Sequence, residues 1–148
     1  MYNKSVFNMP LRLAGKIIDI DANFCHPDLC GQMQYHLDNA VKRNVAVFVV
    51  PGSTLADSVK SIELARSDPS LFISTAGVHP YNTESIPYTE TSKQELESLF
   101  DVPEESTVLL SEDHRANTLA ARVRCVGECG LDYSEGFPLA NHQLPWFK

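Results

Sequence analysis

Two periods of apolar and polar residues alternate along this chain, and the switches between them mark its elements. Residues 45–50 form a near-continuous, Val-rich apolar run closed by Pro51-Gly52. Such a run suits a parallel strand covered on both faces. Residues 16–23, 72–77 and 123–128 read as three further strands. Between them, apolar positions recur at helical spacing. Met33, Leu37, Ala40 and Val41 share one side of a helix predicted over 32–42. Leu55, Val59, Ile62, Leu64 and Ala65 do the same over 54–66, with Ser53 or Thr54 as the N-cap. Thr91 or Ser92 is placed to cap a helix running to Phe100, with Leu96 and Leu99 inward. Residues 139–148 read as the start of a fourth helix.

Strand followed by helix, repeated, predicts a parallel sheet with right-handed crossovers, and so an α/β fold. Two regions break the rhythm. Residues 81–88 read as a polar loop around Pro87. Residues 101–121 read as a long polar insert that opens with Pro103-Glu104-Glu105-Ser106 and holds an apolar patch at 107–110. His114 and Arg115 fall within it and are expected to be solvated.

Composition narrows the function classes. The 148 residues are 43% hydrophobic and 21% charged, enough for one domain with a core. A net charge of −7 argues against broad electrostatic attraction to nucleic acid, so any such contact is local or carried by bound cations. Cys25, Cys30, Cys125 and Cys129 form no C-x-x-C pair. They read as reduced thiols of an intracellular protein, with a disulfide or a zinc site as the alternative. Neither a signal-peptide pattern nor a membrane-length apolar run is seen. A cytoplasmic or nuclear location is expected, with no membrane partner.

Candidate chemistry gathers where strands end. Gly127-Glu128-Cys129-Gly130 places a carboxylate between two glycines after the last strand. Loops at C-terminal strand ends ring the mouth of an α/β protein, where metal ligands and acid/base groups sit. At the first strand end, alternation would put Asp19, Asp21 and Asn23 on one face, opposite Ile18, Ile20 and Ala22. Three oxygen donors on one face suit a hard divalent cation. The alternative is a strand running into a solvated loop, with Asn23 starting a turn. The same D-x-D-x-N spacing opens an EF-hand loop, but Phe24 stands where the turn glycine belongs and Cys30 where the bidentate Glu belongs. After the third strand, His79 precedes Pro80. It reads as a loop cap, a metal ligand or a group that orients a phosphate. Asp132 follows the last strand at the same edge.

Three motifs in this order resemble the N-terminal half of the TatD family of metal-dependent deoxyribonucleases. They are Asp19-Ile20-Asp21-Ala22-Asn23-Phe24, Ala76-Gly77-Val78-His79-Pro80, and Val126-Gly127-Glu128-Cys129-Gly130-Leu131-Asp132-Tyr133. Gln143, ahead of an aromatic helix start, also fits. The resemblance runs from Lys16 to the end of the chain, apart from the 101–121 region. It implies a TIM-like (β/α)8 barrel, of which this chain holds the N-terminal portion: about four parallel strands with flanking helices in a single truncated hydrolase domain. Such a barrel takes roughly 250 residues.

The resemblance further implies hydrolysis of phosphodiester bonds in a DNA substrate, from one end, with divalent metal ions. Mg2+, Mn2+ or Zn2+ would serve, two of them in a complete site. Glu128 is then a metal ligand that bridges two ions, and Asp21 and Asn23 add ligands from the first strand end. Many members carry His-x-His there. His79 and Asp132 orient the phosphate or a ligand. The family's further histidines and late aspartate belong to the second half of the barrel. An unclosed half-barrel exposes an edge strand and an apolar face, which predicts a homodimer or a barrel-completing partner. Two other readings stand beside the nuclease. One is a truncated isoform or pseudoenzyme acting through self-association or a partner. The other is a related metal hydrolase acting on a small amide or ester.

Overall fold

A computed structural model describes residues 16–100 and 123–148. The expected 101–121 insert, with His114 and Arg115, lies outside the described residues. Four parallel strands, β1 (Ile17–Asp19), β2 (Val45–Val50), β3 (Phe72–Ala76) and β4 (Cys125–Val126), pair in sequence order. Register runs Ile17 to Val45, Phe48 to Phe72 and Ala76 to Val126. The strands form a curled half-barrel with helices on its outside. These helices are α1 (Pro27–Cys30), α2 (Met33–Lys42), α3 (Leu55–Ser67), α4 (Glu90–Ser98) and α5 (Ala140–Gln143). Short 3-10 turns occupy Pro80–Asn82 and Leu144–Phe147. Among the described residues no helix is long and apolar enough to cross a membrane.

The core lies between the sheet and helices α2 and α3. Phe24, Phe48 and Phe72 meet there, with ring centroids 5.4 to 6.1 Å apart. Val50, Ala65 and Leu37 complete the cluster. In β2, Val47, Phe48 and Val50 are buried and the other three residues are half-buried, as its apolar run requires. Two expected core positions are not: Val59 on α3 and Val41 on α2 are exposed. The buried stripe of α3 runs instead through Ser58, Ser61, Ile62 and Ala65. Small residues let this helix lie close on the sheet, and the Ser61 hydroxyl donates to the Val50 carbonyl at 2.6 Å.

Helix boundaries follow capping chemistry. Thr54 caps α3 by accepting from the Asp57 amide at 3.0 Å. The cap of α4 is Thr89, two residues before the expected position. Ser92 serves as the third helical residue of a reciprocal capping box rather than as the cap. Expected strand 16–23 is shorter than alternation suggested. β1 stops at Asp19, whose Oδ1 accepts from the Asp21 amide at 3.1 Å and bends the chain. The expected face of Asp19, Asp21 and Asn23 therefore does not form as one strand surface. Of the residues expected on the opposite face, Ile18 and Ile20 are exposed and Ala22 is buried.

Candidate active site at the strand ends

Backbone hydrogen bonds tie the ends of β2, β3 and β4 together. Thr75 is the bridge: its hydroxyl accepts from the Gly52 amide at 3.0 Å and donates to the Gly127 carbonyl. The Gly127 amide donates to Ala76 at 2.9 Å, and the Glu128 amide to Gly52 at 3.0 Å. Glu128 is thus fixed from two strands at once. Gly77 makes this approach possible, because a Cβ there would lie 2.5 Å from the Glu128 carbonyl oxygen and 2.8 Å from the Gly127 carbonyl carbon. Beneath them Ser58, fully buried, accepts from the Gly77 amide at 3.2 Å and donates to the Thr54 carbonyl at 2.7 Å.

His79 leaves β3 through Gly77-Val78 and caps the Pro80–Asn82 turn. Its amide donates to the Ser53 carbonyl at 3.0 Å. Its Nδ1 accepts from the Tyr81 amide at 3.1 Å. A nitrogen that accepts from a backbone amide carries no proton, so the neutral ring holds its proton on Nε2. Nε2 is then a hydrogen-bond donor. Of the roles open to His79, the structure shows the cap, and the ring remains half-exposed beside it.

Charges meet at this histidine. Partial burial pushes the Glu128 carboxyl above its ordinary range; His79 opposes that shift, and Asp21 adds to it. Asp132 lies within electrostatic reach of His79 as well. Its carboxyl is held below the ordinary range by the Ser134 hydroxyl first and the Ser134 amide second, both bonded to Oδ1. Asp21, His79, Glu128 and Asp132 therefore share one mouth, drawn from the ends of β1, β3 and β4. Asn23 carries no charge, and its carbonyl accepts from the His26 amide at 3.0 Å.

Donor chemistry here suits a hard divalent cation: the Glu128 and Asp21 carboxylates lie within electrostatic reach of each other, and Glu128 is partly desolvated. Among the described residues no group of three or more His, Cys, Asp or Glu converges as a metal cluster. The four cysteines are free, with Cys25 buried and the others exposed.

Sequence reasoning passed over Thr75, Ser58 and Phe137. The first two looked like ordinary strand and helix residues, because their partners are backbone atoms up to 52 positions away. Phe137 follows Gly136, a glycine that the structure shows turning the chain at φ 91°.

A sequence profile described as TatD related DNase matches residues 18–148. The chain belongs to this family. Two curated TatD relatives are named 3'-5' ssDNA/RNA exonuclease TatD. The protein of Edwardsiella piscicida is 26% identical over 132 residues, covering 89% of this chain and 43% of the relative. That of Enterobacter lignolyticus is 26% identical over 121 residues, covering 82% and 38%. This TatD-family chain thus spans less than half the length of the curated relatives it matches. Among solved structures, it superposes on an uncharacterized amidohydrolase from Saccharomyces cerevisiae with a TM-score of 0.63 at 23% identity, over 89% of this chain and 42% of that one. That likeness gives the fold: the N-terminal portion of a TIM-like barrel.

Proposed function

We propose that this chain supplies the first-half catalytic groups of a metal-dependent phosphodiester hydrolase that degrades DNA from an end. One observation carries the reading: His79, capped at Nδ1 so that Nε2 is left as a hydrogen-bond donor, lies within electrostatic reach of both Glu128 and Asp132. Glu128 and Asp21 would hold the cations, with Asn23 as a neutral oxygen donor. When bound, such ions polarise the phosphate and lower the pKa of a water. The cap from Tyr81 locks the His79 tautomer, so that Nε2–H donates to a phosphate oxygen rather than binding a metal. Asp132 shapes the loop that carries it and keeps its carboxylate ionised through Ser134. The exonuclease names of the bacterial relatives support action from a strand end. The test is cation-dependent release of nucleotides, compared between the native protein and Glu128→Gln.

A second reading is favoured by the sheet edges. Ile17 on β1 is 53% exposed and Val126 on β4 is 71% exposed. Both are apolar residues of the two edge strands among the described residues. They suit a non-catalytic chain that works by self-association or with a barrel-completing partner. Sedimentation read beside the nuclease assay separates the two readings: self-association without cation-dependent nuclease activity favours the second, and cation-dependent activity favours the first.

A further inference from the structure

We infer that Tyr81 and Phe137 form a stacking platform for an unpaired nucleobase, beside the phosphate that His79 engages. This inference rests on the phosphodiester reading and adds the part of the substrate that the mouth recognises. Tyr81 follows His79 by two residues within the Pro80–Asn82 turn, and the His79 Nδ1 cap pins its backbone. Its ring is nonetheless 62% exposed. Phe137 reaches the same place from the loop after β4. Gly136 turns that loop at φ 91°, and the Phe137 amide closes it onto the Ser134 carbonyl at 3.3 Å. The Phe137 ring lies 6.2 Å from the His79 ring and 5.8 Å from the Tyr81 ring, which it meets at 82°. A phosphate donor and an exposed aromatic ring therefore flank the same phenyl group.

Neither ring belongs to the aromatic core of Phe24, Phe48 and Phe72. Tyr133 stands 64% exposed next to Asp132, so the loop after β4 brings a further aromatic to this edge. The occupant follows from charge. With a net charge of −7 the chain has little broad attraction for a phosphate backbone, and affinity must come from elsewhere. Base stacking on aromatic rings supplies it without regard to sequence. A base inside a duplex is already stacked on both faces, so the platform selects unpaired nucleotides.

The experiment compares a thymidine hexanucleotide with an abasic hexamer of the same phosphate count, by fluorescence anisotropy in Ca2+, using the protein that carries this chain. Wild type is expected to bind the base-bearing strand roughly 5- to 100-fold more tightly. Tyr81→Ala should erase that preference, and Tyr81→Phe should keep it. Exposure of Tyr81 makes both variants compatible with folding. Equal binding of the two strands by wild type, or a preference that survives in Tyr81→Ala, overturns the platform and leaves the phosphodiester reading intact. Failure of wild type to bind either strand overturns both.

Discussion

Gln143 grips Asp132 on both sides of its backbone. The Oε1 of this fully buried side chain accepts from the Asp132 amide at 2.7 Å, and its Nε2 donates to the Asp132 carbonyl at 2.6 Å and to the Pro138 carbonyl. Both amide protons and the amide oxygen are satisfied. The loop that carries a candidate active-site carboxylate is thus shaped by one residue, eleven positions on, at the end of α5. Gln143→Leu removes all three bonds while keeping much of the volume. It should destabilise the fold by about 1–3 kcal/mol in denaturant unfolding. The Asp132 amide should lose its hydrogen-exchange protection first.

Thr75→Val tests the bridge between strand ends. The variant is close in shape but leaves the Gly52 amide and the Gly127 carbonyl without their shared partner. A loss of about 1–3 kcal/mol is expected, with recovery in Thr75→Ser. If the side chain matters only for packing, valine will match wild type and serine will be the weaker variant.

Gly77→Ala tests close approach. Its methyl would collide with the backbone of Gly127 and Glu128, which cannot swing aside as a side-chain tip can. Thermal unfolding should show a loss of about 1–3 kcal/mol. Any activity that depends on Glu128 should fall further than stability does, because the displaced atoms belong to that residue.

Cys25 gives a pH-dependent prediction. Burial, then the nearby Asp57 carboxylate, pushes its thiol from an ordinary 9.0 to about 11, against a smaller opposing effect of Lys60. The folded chain holds a proton that the unfolded chain releases in that interval. Stability from this group is therefore intact below pH 9.0 and declines as pH rises towards about 11. At pH 8 iodoacetamide should label the exposed Cys30, Cys125 and Cys129 but spare Cys25, as read by peptide mass. Labelling of Cys25 at the rate of the others would place it at the surface.

Much of this arrangement is legible in the residues, and the failures have physical reasons. Val45–Val50 announces itself as a strand because cover on both faces leaves little choice but apolar side chains, and Phe72–Ala76 does so through Phe72 and Ile73 although its buried Ser74 and Thr75 are polar. His79, Glu128 and Asp132 are found through the glycines and proline beside them. The first strand end misleads, because alternation holds only while the strand lasts. Asp19 spends its carboxylate on the Asp21 amide and ends the strand two residues earlier than the Asp21 position. Val59 misleads for a different reason: two serines on α3 meet the sheet, where the Ser61 hydroxyl donates to the Val50 carbonyl and the Ser58 hydroxyl to the Gly77 carbonyl just past β3. A hydrophobicity pattern cannot register that preference. The platform of Tyr81 and Phe137 depends on a contact across 56 positions, which no local period encodes.

Glu128 is the test of the central claim. The measurement is the rate of nucleotide release from a single-stranded oligonucleotide in Mn2+, by the protein carrying this chain and by its Glu128→Gln variant. A drop of roughly 100-fold or more is expected. The variant's thermal stability in EDTA at pH 7 should match or exceed that of wild type, because a partly desolvated charge has been removed. A Glu128→Gln variant that folds and cleaves at the wild-type rate would contradict the assignment of this mouth as the active site.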